Sequence, residues 1–329
     1  MSVHVAGASP SSFYVGGRRA VVLVKGGAVV WRGEPVYRLA TAAADEPRVD
    51  WRLVGGVWTR GLLVEPAATN VAPAGRSFDL ADAAVTLTGV GLDLAPCAVI
   101  EDADDTTRAL ARADVVVTND GQTRAVSIYV AVEEEDRFPQ FRFDDGASGG
   151  RAWVNMNART GSYSVSNVVG GWSAWLEPGP EGWRRLVCRA VNPTQGILRV
   201  WCYPATGTLT TTEVSAVGSV RVDGLQVEIG TQASSVLLTS GATKSRAADI
   251  VSRDLAAGEV VLQWLDAQGA AQSSTVQHTG GTFTLPAGPR RAYTSVKLDG
   301  AEQLDLDDLS AWTIERASEG TYTVQIGGE

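Results

Sequence analysis

Along almost its whole length the chain breaks into short alternating or β-branched runs separated by Gly, Asn, Asp and Pro. Nowhere does the amphipathic helical period of about 3.6 residues persist. A chain patterned in this way can pair its backbone polar groups only by laying strands side by side, so the expected fold class is all-β. The best helical windows, 103–113 and 304–312, are short, and Asp104 or Asp105 is the candidate cap of the first.

At about 150 residues per domain, the 329 residues allow two or three modules. Hydrophobic residues make up 44%, enough to bury a sizeable core. Residues 1–60 read as a small N-terminal β unit, with strands at Ser12–Val15, Ala20–Lys25 and Ala28–Arg32 around Gly16-Gly17 and Gly26-Gly27. Double glycines supply the positive φ of tight hairpins. Two tandem hairpins bury little by themselves, so this unit is expected to complete its core against a neighbouring subunit or domain. Two more short strands follow around 36–39 and 50–53.

Residues 61–250 carry strand after strand, among them Val85–Thr88, Arg124–Val132, Phe138–Phe143, Ala152–Asn155, Ile197–Tyr203 and Val220–Glu228. Regular strand spacing with turn residues between is the pattern of an antiparallel jelly-roll sandwich. Residues 251–329, with strands near 259–265, 291–298 and 320–326, read as a small C-terminal β domain.

The formal net charge is −9, and no run of Lys or Arg is long enough to track phosphates, which argues against nucleic acid. Acidity also disfavours anionic lipid, while it is compatible with neutral glycans held by hydroxyl hydrogen bonds and ring stacking. Cys97, Cys188 and Cys202 are an odd number without metal-ligand spacing and read as buried thiols. The longest early apolar run, Ala20–Val24, is far short of the ~20 residues that span a bilayer, so no membrane insertion is expected. Met1-Ser2-Val3-His4 lacks the start of a signal peptide, so an extracellular role would follow lysis or display on a particle.

No enzyme is expected. His4 and His278 stand near no nucleophile motif. The cluster Glu133-Glu134-Glu135-Asp136 and the pair Asp144, Asp145 could in principle supply two glycosidase carboxylates, but runs of like charge usually form solvated loops. The periodic repeats of glycan-cleaving β-helices are missing from the sequence.

Two separated segments carry a family resemblance. Gly61-Leu62-Leu63-Val64-Glu65-Pro66-Ala67-Ala68-Thr69-Asn70 resembles the opening of jelly-roll modules in tail-fibre and head-spike proteins of tailed phages. Asp223-Gly224-Leu225-Gln226-Val227-Glu228-Ile229-Gly230, Ala233-Ser234-Ser235 and Arg246-Ala247-Ala248-Asp249 resemble their closing signature. Val126–Val130 and Gly182–Leu186 are similar to the central strands, and the likeness spans about Gly61 to Asp249. The sequence departs from the pattern at Val71-Ala72-Pro73-Ala74. Phe13–Arg19 and Gly26–Trp31 resemble strand-Gly-strand units that begin other phage structural proteins, and gene transfer agents, which are phage-like particles, have similar gene content. The resemblance implies a structural component of such a particle, a head spike or a tail fibre, assembled in the bacterial cytoplasm and displayed on the virion surface. Capsid or tail proteins and further copies of the chain would be its partners, and attachment to host surface polysaccharide its role. A purely architectural role is the alternative, and a glycan depolymerase is a more distant one.

Among ten tryptophans, Trp172 and Trp175 lie in the Gly-rich stretch 170–175, where ligand contact and subunit packing both remain open. Ile197–Tyr203 alternates, placing Arg199, Trp201 and Tyr203 on one face and Leu198, Val200 and Cys202 on the other. The first set suits a glycan or an inter-subunit contact, and the second reads as core. By analogy with carbohydrate-binding jelly rolls that hold a structural calcium, Asp79 and Asp223 are the candidate carboxylate ligands.

Overall fold

A computed structural model describes residues 12–15, 18–25, 28–31 and 36–326, less 73–77, 81–82, 94, 105, 108, 147–149, 192, 194–195 and 211–215. Among them every regular element is a strand, and every strand pairing is antiparallel. The two helical windows do not form helices. In the first, Asp104 accepts hydrogen bonds from Thr106 and Thr107, and in the second Asp305 and Asp308 make similar two-residue turns. Asp side chains that close local turns compete with helical pairing.

β1 (Ser12–Val15), β2 (Arg18–Lys25) and β3 (Ala28–Trp31) form a separate three-stranded meander, with strands where the sequence places them. The glycine pairs between them lie outside the described residues.

Then come β4 (Val36–Ala42), β5 (Val49–Val54), β6 (Val57–Leu63) and the short β7 (Ala68–Asn70). The next twelve strands are β8 (Asp79–Leu80), β9 (Ala84–Val90), β10 (Pro96–Asp102), β11 (Ala111–Val116), β12 (Arg124–Ala131), β13 (Gln140–Asp144), β14 (Arg151–Met156), β15 (Tyr163–Val169), β16 (Ser173–Pro178), β17 (Trp183–Ala190), β18 (Ile197–Tyr203) and β19 (Gly218–Ile229). They build two six-stranded sheets, ordered β16-β17-β12-β19-β10-β9 and β15-β14-β13-β18-β11-β8, the jelly roll read from the strand pattern.

Alternation makes the sandwich core. Val126, Ile128 and Val130 of β12, with Leu186 and Cys188 of β17, face Phe141 and Phe143 of β13 and Leu198, Val200 and Cys202 of β18. All three cysteines are buried, as expected, and burial pushes the Cys188 and Cys202 thiols far above their usual range.

β20 (Lys244–Arg246) pairs with β7, joining the chain's entry into the sandwich to its exit. Beyond it lie β21 (Ile250–Leu265), β22 (Ala271–Thr284), β23 (Ala292–Leu298), β24 (Ala301–Glu302), β25 (Thr313–Glu315) and β26 (Gly320–Ile326). Here the sheets group residues differently from a division at 60/61 and 250/251. Hairpin β5–β6 joins β21–β23 in one sheet ordered β22-β21-β23-β6-β5, and β4 pairs along its length with β26. Residues on either side of the jelly roll therefore build a single framing unit, with the sandwich inserted between β6 and β21. Gly61 permits a close backbone approach in that sheet, since a Cβ there would meet the Tyr293 carbonyl oxygen at 2.9 Å.

At the neck, a cluster of charges is sealed from water. Glu65, fully buried, takes Arg48 at 3.0 Å, Arg246 at 3.2 Å and the backbone N–H groups of Ser235 and Arg290 at 2.8 Å each. Asp249 pairs with Arg48 and accepts from the Glu65 backbone N–H at 2.8 Å. Arg316, 3.5 Å from Asp249, ties in the Ala42 and Ala43 carbonyls, and Arg48 reaches the Thr321 carbonyl at 2.9 Å. Burial alone would raise the Glu65 carboxyl, but the guanidiniums of Arg246 and Arg48 and the Ser235 hydrogen bonds outweigh it and hold Glu65 well below the usual carboxylate range.

Removing one member of such a cluster strands the others in low dielectric. Glu65→Gln should cost about 3–5 kcal/mol in denaturant unfolding. Because folding depresses this carboxyl, its contribution is complete above the unfolded value of about 4.3 and is lost as pH falls below it. Unfolding midpoints measured from pH 7 down to pH 3 should fall more steeply for the wild type than for Glu65→Gln.

Candidate functional site

The two outer faces of the sandwich differ. Over the β16–β19 sheet, the outward residues Ser127, Arg185, Gln226 and Glu228 are buried beneath the segment 233–237. Arg185 donates to the Ser234 carbonyl and to Ser127, and Glu228 accepts from the Ser234 N–H and from Gln226. Burial raises the Glu228 carboxyl against the lowering pull of Arg185 and Ser234. Beside them Glu177 binds Arg290 of the framing unit at 2.6 Å, and Glu181 exchanges hydrogen bonds with the Tyr37 backbone. This face is therefore used in holding the molecule together.

The outer face of the β8–β18 sheet is open, and strand register arranges its side chains in rows. One row runs Asp114, Arg199, Asp144, Arg151 across β11, β18, β13 and β14, alternating acid and base. The next runs Arg112, Trp201, Arg142, Trp153, alternating cation and ring. A third runs Tyr203, Gln140, Asn155, Ser164, and of these Tyr203, Gln140 and Asn155 are buried, with Asn155 bonded to Thr206 and Thr208.

The rows interlock. The Arg142 guanidinium lies 4.0 Å from the Trp153 ring centroid and 4.3 Å from that of Tyr203, and its Nε donates to Gln140 at 2.6 Å. Cation–ring contacts of this kind hold the side chain flat and fix its charge in place. Trp201 donates its indole N–H to Asp144 at 2.6 Å, while Asp144 also accepts from the Gly146 N–H at 2.8 Å. Arg199 returns a hydrogen bond to the Gly146 carbonyl at 3.1 Å. Arg142, Asp144, Arg151, Trp153, Arg199 and Trp201, together with Tyr203 and Gly146, line a shallow groove of about 340 Å³. Half-buried rings beside fixed polar groups can stack on the apolar face of a sugar ring while hydrogen bonding its hydroxyls.

Of the residues singled out in the sequence, Arg199 and Trp201 come together here half-buried, while Tyr203 lies beside them buried beneath Arg142. Trp172 does not join them: it is 2% exposed in the sandwich core and donates to the Val191 carbonyl at 3.1 Å. Gly150 leaves the room it fills, since a Cβ at that position would collide with the indole. Trp175 stands on the opposite sheet, packed against Ala125, Val187 and Ala233 and bonded to Glu177 at 2.9 Å. A Gly-rich stretch looks loose in sequence, yet here its glycines let a large ring pack inward.

Asp79 and Asp223 stand on strands of different sheets, β8 and β19. Asp223 is fully buried and accepts from the Leu92 and Gly224 N–H groups at 2.8 and 2.7 Å. The side chain of Asp79 lies outside the described residues, where its backbone pairs with Arg112. Among the described residues no group of three or more His, Cys, Asp or Glu side chains could hold a metal ion. The acidic cluster at 133–136 separates into surface ion pairs, Glu133 with Arg221, Glu135 with Arg137 and Asp136 with Arg159.

The sequence offers Trp153 only as one of several tryptophans of the central module and does not point to Arg142 or Arg151. Their strands were legible, and Gln140-Phe141-Arg142-Phe143-Asp144 alternates as cleanly as β18, but only register shows that the three outward sets adjoin. No family model matches the chain, and no curated protein matches it. Among the described residues no helix is long and apolar enough to cross a membrane.

The two faces make opposite demands on a tryptophan. Trp172→Ala should destabilise the chain by about 3–5 kcal/mol, the range for emptying a buried ring site. Trp201→Ala, at a half-buried position, should cost less than half of that in the same denaturant titration.

Proposed function

We propose that this chain is a glycan-binding structural component of a phage or phage-like particle, in which the jelly roll presents the β11-β18-β13-β14 face to a host surface polysaccharide. The observation that carries the binding reading is the half-buried row Arg112, Trp201, Arg142, Trp153. Two rings two strands apart, roughly 9–10 Å, give a short saccharide two stacking platforms on a rigid sheet. The particle part of the reading rests on the resemblance around Glu65 and Leu225 and on the separate β1–β3 meander, which is too small to bury a core and fits a docking element. Both attachment to capsid or tail and assembly in several copies follow from it.

An architectural role is the competing reading, since a row of alternating charge could also meet a neighbouring subunit. Binding of the full-length chain to surface polysaccharides extracted from candidate host bacteria separates the two. The expected result is saturable binding that Trp201→Ala weakens at least about tenfold, a loss of about 1.4 kcal/mol. Unchanged binding in Trp201→Ala, or no binding to any extract, would favour the architectural reading.

A further inference from the structure

Resting on that reading, we infer that the groove takes an acidic saccharide, a glycan bearing carboxylates, rather than a neutral one. The chain as a whole carries −9, which alone would favour neutral ligands. The groove has the opposite sign: three guanidiniums, Arg142, Arg151 and Arg199, line it against one carboxylate, Asp144, and since Asp114 lies 3.8 Å from Arg199 and offsets it, the positive excess rests on Arg142 and Arg151. Exposed charges more than about 10 Å away are largely screened at 0.1 M salt, so the local set decides what a ligand meets.

The one carboxylate has a local task. Asp144 accepts the Trp201 indole N–H and the Gly146 N–H, and so holds a stacking ring in position. Meanwhile Arg142 is centred between Trp153 and Tyr203, and Arg151 is oriented by Asn167 at 3.1 Å. A uronic acid offers what this arrangement recognises: an apolar ring face for Trp201 or Trp153, and a planar carboxylate at its edge. Guanidinium forks match carboxylates in a plane, and charge-assisted hydrogen bonds of this type are the strong ones.

The test compares the full chain's binding to polyuronates (alginate, polygalacturonate, hyaluronan), to neutral dextran and xylan, and to dextran sulfate, at low and high salt. At least one polyuronate should bind about tenfold or more tighter than every neutral polymer and weaken as salt rises. Arg142→Gln and Arg151→Gln should each remove most of that preference, and the second keeps the test valid if the first perturbs the ring stack. Neutral polymers bound as well as polyuronates, with no salt dependence, would overturn the acidic assignment and leave the glycan-binding reading standing. Dextran sulfate bound as tightly as the best polyuronate would overturn the carboxylate assignment in favour of general polyanion attraction. Failure to bind any polymer would overturn this inference and the proposed function together.

Discussion

The molecule is organised around a carboxylate that has no access to water. Glu65 sits where the chain leaves the framing sheet for the sandwich, and it gathers Arg48 from before, Arg246 from the return strand, and the backbone of Ser235 and Arg290 from two further passes. Desolvating such a group is costly unless it is paired and hydrogen bonded, and here two guanidiniums flank it and it accepts from Arg48 and the Ser235 and Arg290 N–H groups. Because the partners are distant in sequence, the carboxylate is satisfied only when both β units are formed and docked. The ionic neck thus couples two sheets systems that share little apolar core.

That coupling assigns the faces of the jelly roll. The β16–β19 sheet spends its outward polar residues on segment 233–237 and the framing unit, through Arg185, Glu228 and the Glu177–Arg290 pair. The β8–β18 sheet is left with a rigid, solvent-facing lattice of rings and guanidiniums. Preorganisation matters for a shallow site, because ligand binding need not then fix flexible side chains. The indole of Trp201, tied to Asp144, and the guanidinium of Arg142, clasped between two rings, are held before any ligand arrives.

Much of the local structure was legible in the sequence. Period-two alternation located the strands and divided β18 into a set that includes Cys202, which is core, and an opposite set. Long-range pairing was not legible. Nothing in Val36–Ala42 points to Gly320–Ile326, and nothing in β5–β6 points to β23, because alternation specifies which face is buried but carries no address for the partner strand. In sequence, the paired signatures around residues 61–70 and 223–249 carry only a likeness. Their polar members Glu65, Asn70, Gln226, Glu228, Ser234, Arg246 and Asp249 prove to be the buried closure of the sandwich and its neck, a structural role. Trp172 and Trp175 show the converse failure, since a glycine-rich context does not reveal which way a ring turns.

The central claim is that one face of the jelly roll, and not the other, meets the glycan. Oxidative footprinting of the aromatic side chains, with and without a saturating polysaccharide, reads this directly. Trp153 and Trp201 should lose reactivity together while Trp175 is unchanged. Protection of Trp175 with the other two unaffected would contradict the account.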